Sequence, residues 1–359
     1  MSHRLPIAAA TGLGSMPFTD PDEALARVAR FFPEIPYWPQ LPRKNAAEGL
    51  VLQVLHFFEE TGLIRIDGDR AVFLTRRPDW PERLTDAYTT LMAAEAGESA
   101  ALDRFGLHPD SASGFFRFLE VFHETAPGAA WIKGQVAGPL TVGFQVTDQD
   151  GRMAFYDDTL RDILLQSIAL HARWQCRKLA ALGRPVILFV DDPSIAAFGK
   201  YNHITLEREA IMAAIEPIFT AIHGEQAAAG LHSCDGADWT LVTESSADIL
   251  SLDAYQFGHT LSVYADHCRR FIRRGGTIAW GIVPTMAAAD DETVQGLLDR
   301  LITLCETLSD ETVPAKQFLQ QGLVTPACGT GLLSPDLADT IFTLTAGVSE
   351  AVRRFVAAR

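Results

Sequence analysis

His232-Ser233-Cys234 and, 94 positions beyond Cys234, Cys328 are the residues of this chain best suited to chemistry. In an extended segment residues two apart point the same way, so His232 and Cys234 can aim at one ion while Ser233 points away. Cys328 lies in Thr325-Pro326-Ala327-Cys328-Gly329-Thr330-Gly331, where the glycines permit the close turn that a ligand loop needs. One imidazole and two thiolates describe a zinc site with an open fourth position, the form that activates a substrate rather than one that holds a fold together. A substrate thiol placed there would lose its proton near neutral pH and become the nucleophile that a methyl transfer needs. Cys176, Cys268 and Cys305 fall inside segments of helical period and read as small buried hydrophobes.

For these side chains to meet, distant segments must end at one rim. Short apolar or β-branched runs recur at 7–15, 35–40, 131–135, 186–191, 230–234, 249–253, 277–282 and 323–328, and most are followed by a longer stretch of helical period. Strands alternating with helices in this way, across 359 residues without a break in composition, predict one domain folded as an α/β (β/α)8 TIM barrel. The interval 41–130 is too long for one crossover helix and predicts an insertion between strands two and three. Within it, residues 64–73 alternate and turn at Asp67-Gly68 as a hairpin, and helices are expected over 80–96 and 113–124. Asp20-Pro21-Asp22-Glu23, Thr205-Leu206-Glu207 and Asp290-Asp291-Glu292 carry the capping and acidic residues expected at helix starts.

In such a barrel the functional groups sit where strands end at the C-terminal face. The expected ends are polar throughout: Gly14-Ser15, Gln40, Gln135, Asp191-Asp192, His232 with Cys234, Asp253, Pro284-Thr285 and Cys328. Asp191 and Asp192 close the apolar run 186–190, where two carboxylates are unfavourable unless they meet a cation or donors. A substrate ammonium is one such partner, and helix capping by Asp192 is another. Gly14 and Ser15 form a tight turn whose amides and hydroxyl suit a carboxylate, and Gln135 joins them as a substrate-binding candidate. Asp253 is a candidate fourth ligand or an acceptor behind His232. Arg43, Lys44 and Asn45, just after the second strand, are either contacts for a methyl donor or solvated loop charges.

The balance of 30 basic against 45 acidic residues, a net charge of −15, argues against nucleic acid or an anionic membrane as partner and favours a small polar metabolite. Five cysteines, an opening Met1-Ser2-His3-Arg4-Leu5-Pro6 without a leader-like apolar run, and the lack of a membrane-spanning stretch lead us to expect a cytoplasmic protein with reduced thiols.

Taken in order, Thr11-Gly12-Leu13-Gly14-Ser15, Lys133-Gly134-Gln135-Val136-Ala137-Gly138-Pro139-Leu140-Thr141, Asp191-Asp192-Pro193, His232-Ser233-Cys234 and Thr325-Pro326-Ala327-Cys328-Gly329 resemble the catalytic half of the cobalamin-independent methionine synthases. They also resemble the wider superfamily that includes uroporphyrinogen decarboxylase and the corrinoid-dependent methyltransferases. The resemblance implies zinc-dependent methyl transfer to homocysteine, with His232, Cys234 and Cys328 as zinc ligands, Ser15 on the amino-acid carboxylate and Asp191 on its ammonium group. Asp253 stands where that family has a glutamate ligand, one methylene longer. The chain matches only the catalytic half, and the segment Trp280-Gly281-Ile282-Val283-Pro284-Thr285 lacks the histidine that the long enzymes carry after this strand. Both departures imply methylcobalamin or a corrinoid protein as donor in place of polyglutamyl folate. Two alternatives belong to other classes: a noncatalytic barrel that binds zinc and a corrinoid partner, and a decarboxylase of the uroporphyrinogen type. The latter needs arginines near the first strand, and 12–19 contains none.

Overall fold

The computed structural model describes residues 4–203 and 205–358, so that Met1-Ser2-His3 of the opening segment lie outside the described residues. An antiparallel hairpin, β1 (Ile64–Asp67) and β2 (Arg70–Phe73), stands apart from a six-stranded parallel sheet. The sheet runs in chain order through β3 (Ile132–Ala137), β4 (Val186–Asp191), β5 (Ala228–Ser233), β6 (Ile249–Leu252), β7 (Thr277–Val283) and β8 (Leu323–Pro326). Every residue of β3, β4, β6, β7 and β8 is buried, as expected of parallel strands covered on both faces.

The first two expected strands differ from the prediction. Segments 7–15 and 35–40 form no ladder of their own and join the sheet by isolated parallel bridges: Ala10 to Val324, Ser15 to Gln40, and Tyr37 to Lys133. Pro6, Pro36 and Pro39 remove amide donors, while Ala8 and Gly14 take φ of 47° and 111°, outside extended geometry. The arrangement is a curled half-barrel of six strands, and a TIM-like fold is consistent with it, but continuous ladders do not close the ring.

Two apolar clusters follow from the strand alternation. Ala9, Ile35, Trp131, Ile187, Ile249 and Leu323 form one with residues of neighbouring strands, which marks the inner face of the sheet, and a much larger one lies between the sheet and its helices. Helix Pro21–Phe31 starts as expected, with Asp20 accepting from the Asp22 amide and proline in the first turn. Helix Val294–Leu308 is capped by Thr293 rather than by Asp290 or Asp291, which fall in the preceding short turn Ala287–Asp291, and helix Arg208–Gly224 begins without a side-chain cap.

Within 41–130 the hairpin turns over Gly68, at φ 64°, and helices Trp80–Glu95 and Ser113–Thr125 follow. Within this segment Glu48 accepts from the Leu41 amide and from the amide and hydroxyl of Ser113, and Gln53, which accepts from Gln40 at 2.6 Å, ties it to segment 35–40. Among the described residues no helix is long and apolar enough to cross a membrane.

Candidate metal centre

His232 faces inward near the end of β5, Cys234 follows one residue past that strand, and Cys328 lies two residues past β8. One ligand atom from each falls within 4.8 Å of the others, and among the described residues this is the only group of three or more such side chains placed to hold a metal. The Ser251 hydroxyl lies 3.0 Å from His232 Nδ1, while Nε2 is buried and has no partner. An imidazole whose far nitrogen is fixed and whose near nitrogen is bare, opposite two thiols, fits a soft, tetrahedral cation such as zinc. The thiols influence each other. The Cys328 thiol and then His232 pull Cys234 well below the ordinary thiol range, whereas Cys328, holding its proton beside that thiolate in a buried setting, is pushed up.

A cavity of about 500 Å³ opens over the cluster. Ser15, Gln40, Asp191, His232, Cys234 and Cys328 line it with polar atoms, and Leu13, Leu50, Leu332 and Leu333 make an apolar flank. A larger cavity, about 750 Å³, lies away from the cluster between helices Asp158–Ala180 and Arg208–Gly224 and holds none of its residues.

Ser15 reaches the rim because the last strand's loop wraps it. Its carbonyl accepts from the Thr330 amide, its hydroxyl accepts from the Gly331 amide at 3.3 Å, and a Cβ on Gly329 would lie 2.0 Å from the Ser15 hydroxyl. Gly14 is required twice over, by φ 111° and because a Cβ there would lie 2.6 Å from the Gln135 side chain. Gln135 donates to the Trp38 carbonyl and leaves its Oε1 buried without a partner. Arg43 donates to the carbonyl of Leu332, which lines the cavity, and Asn45 donates to that of Asp110, which does not.

The three aspartates have different settings. Asp191 lines the cavity, is buried, and has an unpartnered Oδ1; burial pushes it up to about 6 against the opposing pull of Lys133 and His232. Asp192, expected on the substrate, is turned the other way: it accepts from the amides of Leu140 and Thr141 and from the Thr141 hydroxyl, at the start of helix Pro139–Gln145. Adjacent strand residues point to opposite faces, so only one of this pair can look into the cavity. Asp253 accepts from the Gln256 amide and from Gln256 Nε2, capping helix Ala254–Phe257, and is not a member of the three-residue cluster.

Two inward residues escaped the sequence reading. Ser251 sits two positions before Asp253 on β6, and alternation alone puts both on one face. Lys133 is wholly buried on β3, and its signal in the sequence is a lysine amid a strand of otherwise uncharged residues.

No protein-family model matches the chain, and no curated protein sequence matches it. Among solved structures it is similar to a B12-independent methionine synthase from Shewanella sp. W3-18-1 in complex with selenomethionine, at 18% identity and a TM-score of 0.47, over 67% of this chain and 68% of that one.

Proposed function

We propose that this chain is a zinc-dependent methyltransferase that moves a methyl group onto a small thiol, homocysteine foremost, and that it does so as one (β/α)8 domain. The observation that carries the reading is the convergence of His232, Cys234 and Cys328 within 4.8 Å beneath a cavity of about 500 Å³. Zinc held by these three side chains would supply the Lewis acidity that lets a thiol lose its proton near neutral pH.

The remaining roles fall to the chain's own residues. Asp191 offers its unpartnered Oδ1 to the substrate ammonium, and the Ser15 hydroxyl, which accepts from the Gly331 amide, donates its proton to the carboxylate. Ser251 fixes the His232 ring. Asp253, held by Gln256, keeps a carboxylate near His232 and Cys234 without itself ligating. So oriented, the substrate sulfur attacks the methyl carbon, the carbon–donor bond breaks with its electron pair going to the donor, and a thioether results. Methylcobalamin or a methylated corrinoid protein is the donor we favour over folate, since 280–285 carries no histidine to protonate a departing folate nitrogen.

The test is direct. The purified protein should hold close to one zinc per chain and form methionine from homocysteine with methylcobalamin or with methyl folate. Binding of both substrates without product would replace this reading with a noncatalytic binding barrel, and full activity in Cys328→Ser would overturn it.

A further inference from the structure

Lys133 stands inside the sheet with none of its surface exposed. Its Nζ has no hydrogen-bond partner and lies 4.5 Å from the centre of the Phe189 ring and 5.9 Å from that of Tyr37. Inner layers of such sheets are ordinarily filled by branched aliphatics, and an ammonium among rings is unfavourable unless an opposite charge offsets it. An opposite charge lies farther along the same face: Lys133 is level with Ile187 in the register, Ile187, Phe189 and Asp191 share the inner face of β4, and the Asp191 carboxylate, whose Oδ1 is likewise buried and bare, acts on Lys133 through its charge. Burial lowers the Lys133 ammonium to about 8, a fall that the Asp191 carboxylate opposes.

We propose that Lys133 is a positioning residue acting through its charge: it offsets part of the negative charge of the cluster farther along the same face, so that the metal-loaded site accepts a thiolate. The proposal rests on the zinc reading given above. With two thiolates, Asp191 and the nearby Asp253 carboxylate around a dication, the site would otherwise carry surplus negative charge, and an incoming sulfur anion would be repelled in a medium that screens poorly. The same cation opposes metal binding. Lys133 therefore acts in opposite directions on the two ligands, which a purely structural residue would not do.

Cobalt(II) is the probe, followed through its thiolate charge-transfer absorbance and by competition with a chelator, with 2-mercaptoethanol as a thiol that carries no other charge. In Lys133→Met and Lys133→Gln, cobalt should bind about tenfold more tightly and 2-mercaptoethanol about tenfold more weakly than in the natural protein. Phe189→Leu, which disturbs the same layer without changing charge, should lower the melting temperature and move both affinities the same way or not at all. Parallel losses of both affinities in the Lys133 variants, unchanged affinities, or failure of both variants to fold would each overturn the proposal. If the natural protein itself binds no cobalt through its thiols, the zinc reading fails and takes the proposal with it. Normal cobalt binding with identical variants removes Lys133 alone.

Discussion

On the helix side of Gln135 a buried column of polar groups is paired throughout, whereas on the cavity side buried polar atoms are left bare. In the column, Gln175 Oε1 accepts from Trp38 Nε1 at 2.9 Å and from the Gln135 amide at 3.2 Å, Gln175 Nε2 donates to the Gln135 carbonyl, and His171 Nδ1 donates to the Phe105 carbonyl. Toward the cavity, Lys133 Nζ, Gln135 Oε1, Asp191 Oδ1, His232 Nε2 and Thr325 Oγ1 are buried without partners. A buried polar group without a hydrogen bond is unfavourable by roughly 1–3 kcal/mol, so a fold that keeps several together at one place keeps them for something that binds. The paired column is architecture: it joins helix Asp158–Ala180, the segment 41–130 and β3. The bare set is the site.

The two regions should break differently. Cys328→Ser has the largest expected effect, a fall of more than ~100-fold in metal affinity and in methyl transfer, since even groups behind the ligands are worth about 10–100-fold. Metal titration and product formation check it, and retention of both would erase the contrast. Next is Gln175→Leu, which strands the Trp38 indole and two β3 backbone groups and should remove about 3 kcal/mol of stability in denaturant unfolding, with metal stoichiometry unchanged in the protein that remains folded. Ser251→Ala should do the reverse: metal affinity about tenfold weaker, unfolding midpoint almost unmoved.

The smallest effect sharpens the comparison through pH. Burial lowers His171 from 6.5 to about 4, so the folded chain keeps it neutral where the unfolded chain takes up a proton. Its contribution is intact above the unfolded value and is lost as pH falls toward the folded one. Metal-free protein should lose about 1 kcal/mol from this residue between about pH 7 and pH 5.5, and His171→Gln should flatten that part of the stability profile.

Much of this was legible beforehand, for identifiable reasons. The hairpin at 64–73, the helix after Asp20 and the parallel strands from β3 to β8 rest on local rules: alternation, turn glycines and caps. Segments 7–15 and 35–40 read as strands by composition, but prolines and positive φ reduced them to single bridges. Asp191 and Asp192 both read as candidates for a substrate ammonium, with helix capping as a second reading of Asp192, and the place of helix Pro139–Gln145 decided that Asp192 caps. Alternation gives the face on which Ser251 and Lys133 lie, but neither carries a local sign of what lies across the sheet from it.

By itself, the sequence determined the identity and phase of the chemical groups: an imidazole and a thiol two apart, a third cysteine in a glycine-flanked loop, and carboxylates where apolar runs stop. These depend on residue type and on a period of two, both of which are local. Tertiary structure alone decided which of them face one another. Bringing Cys328 to Cys234 across the sheet, wrapping Ser15 in the last loop, turning Asp192 away and setting Lys133 on one face with Asp191 depend on strand order, register and packing between segments up to hundreds of residues apart, which no local pattern encodes.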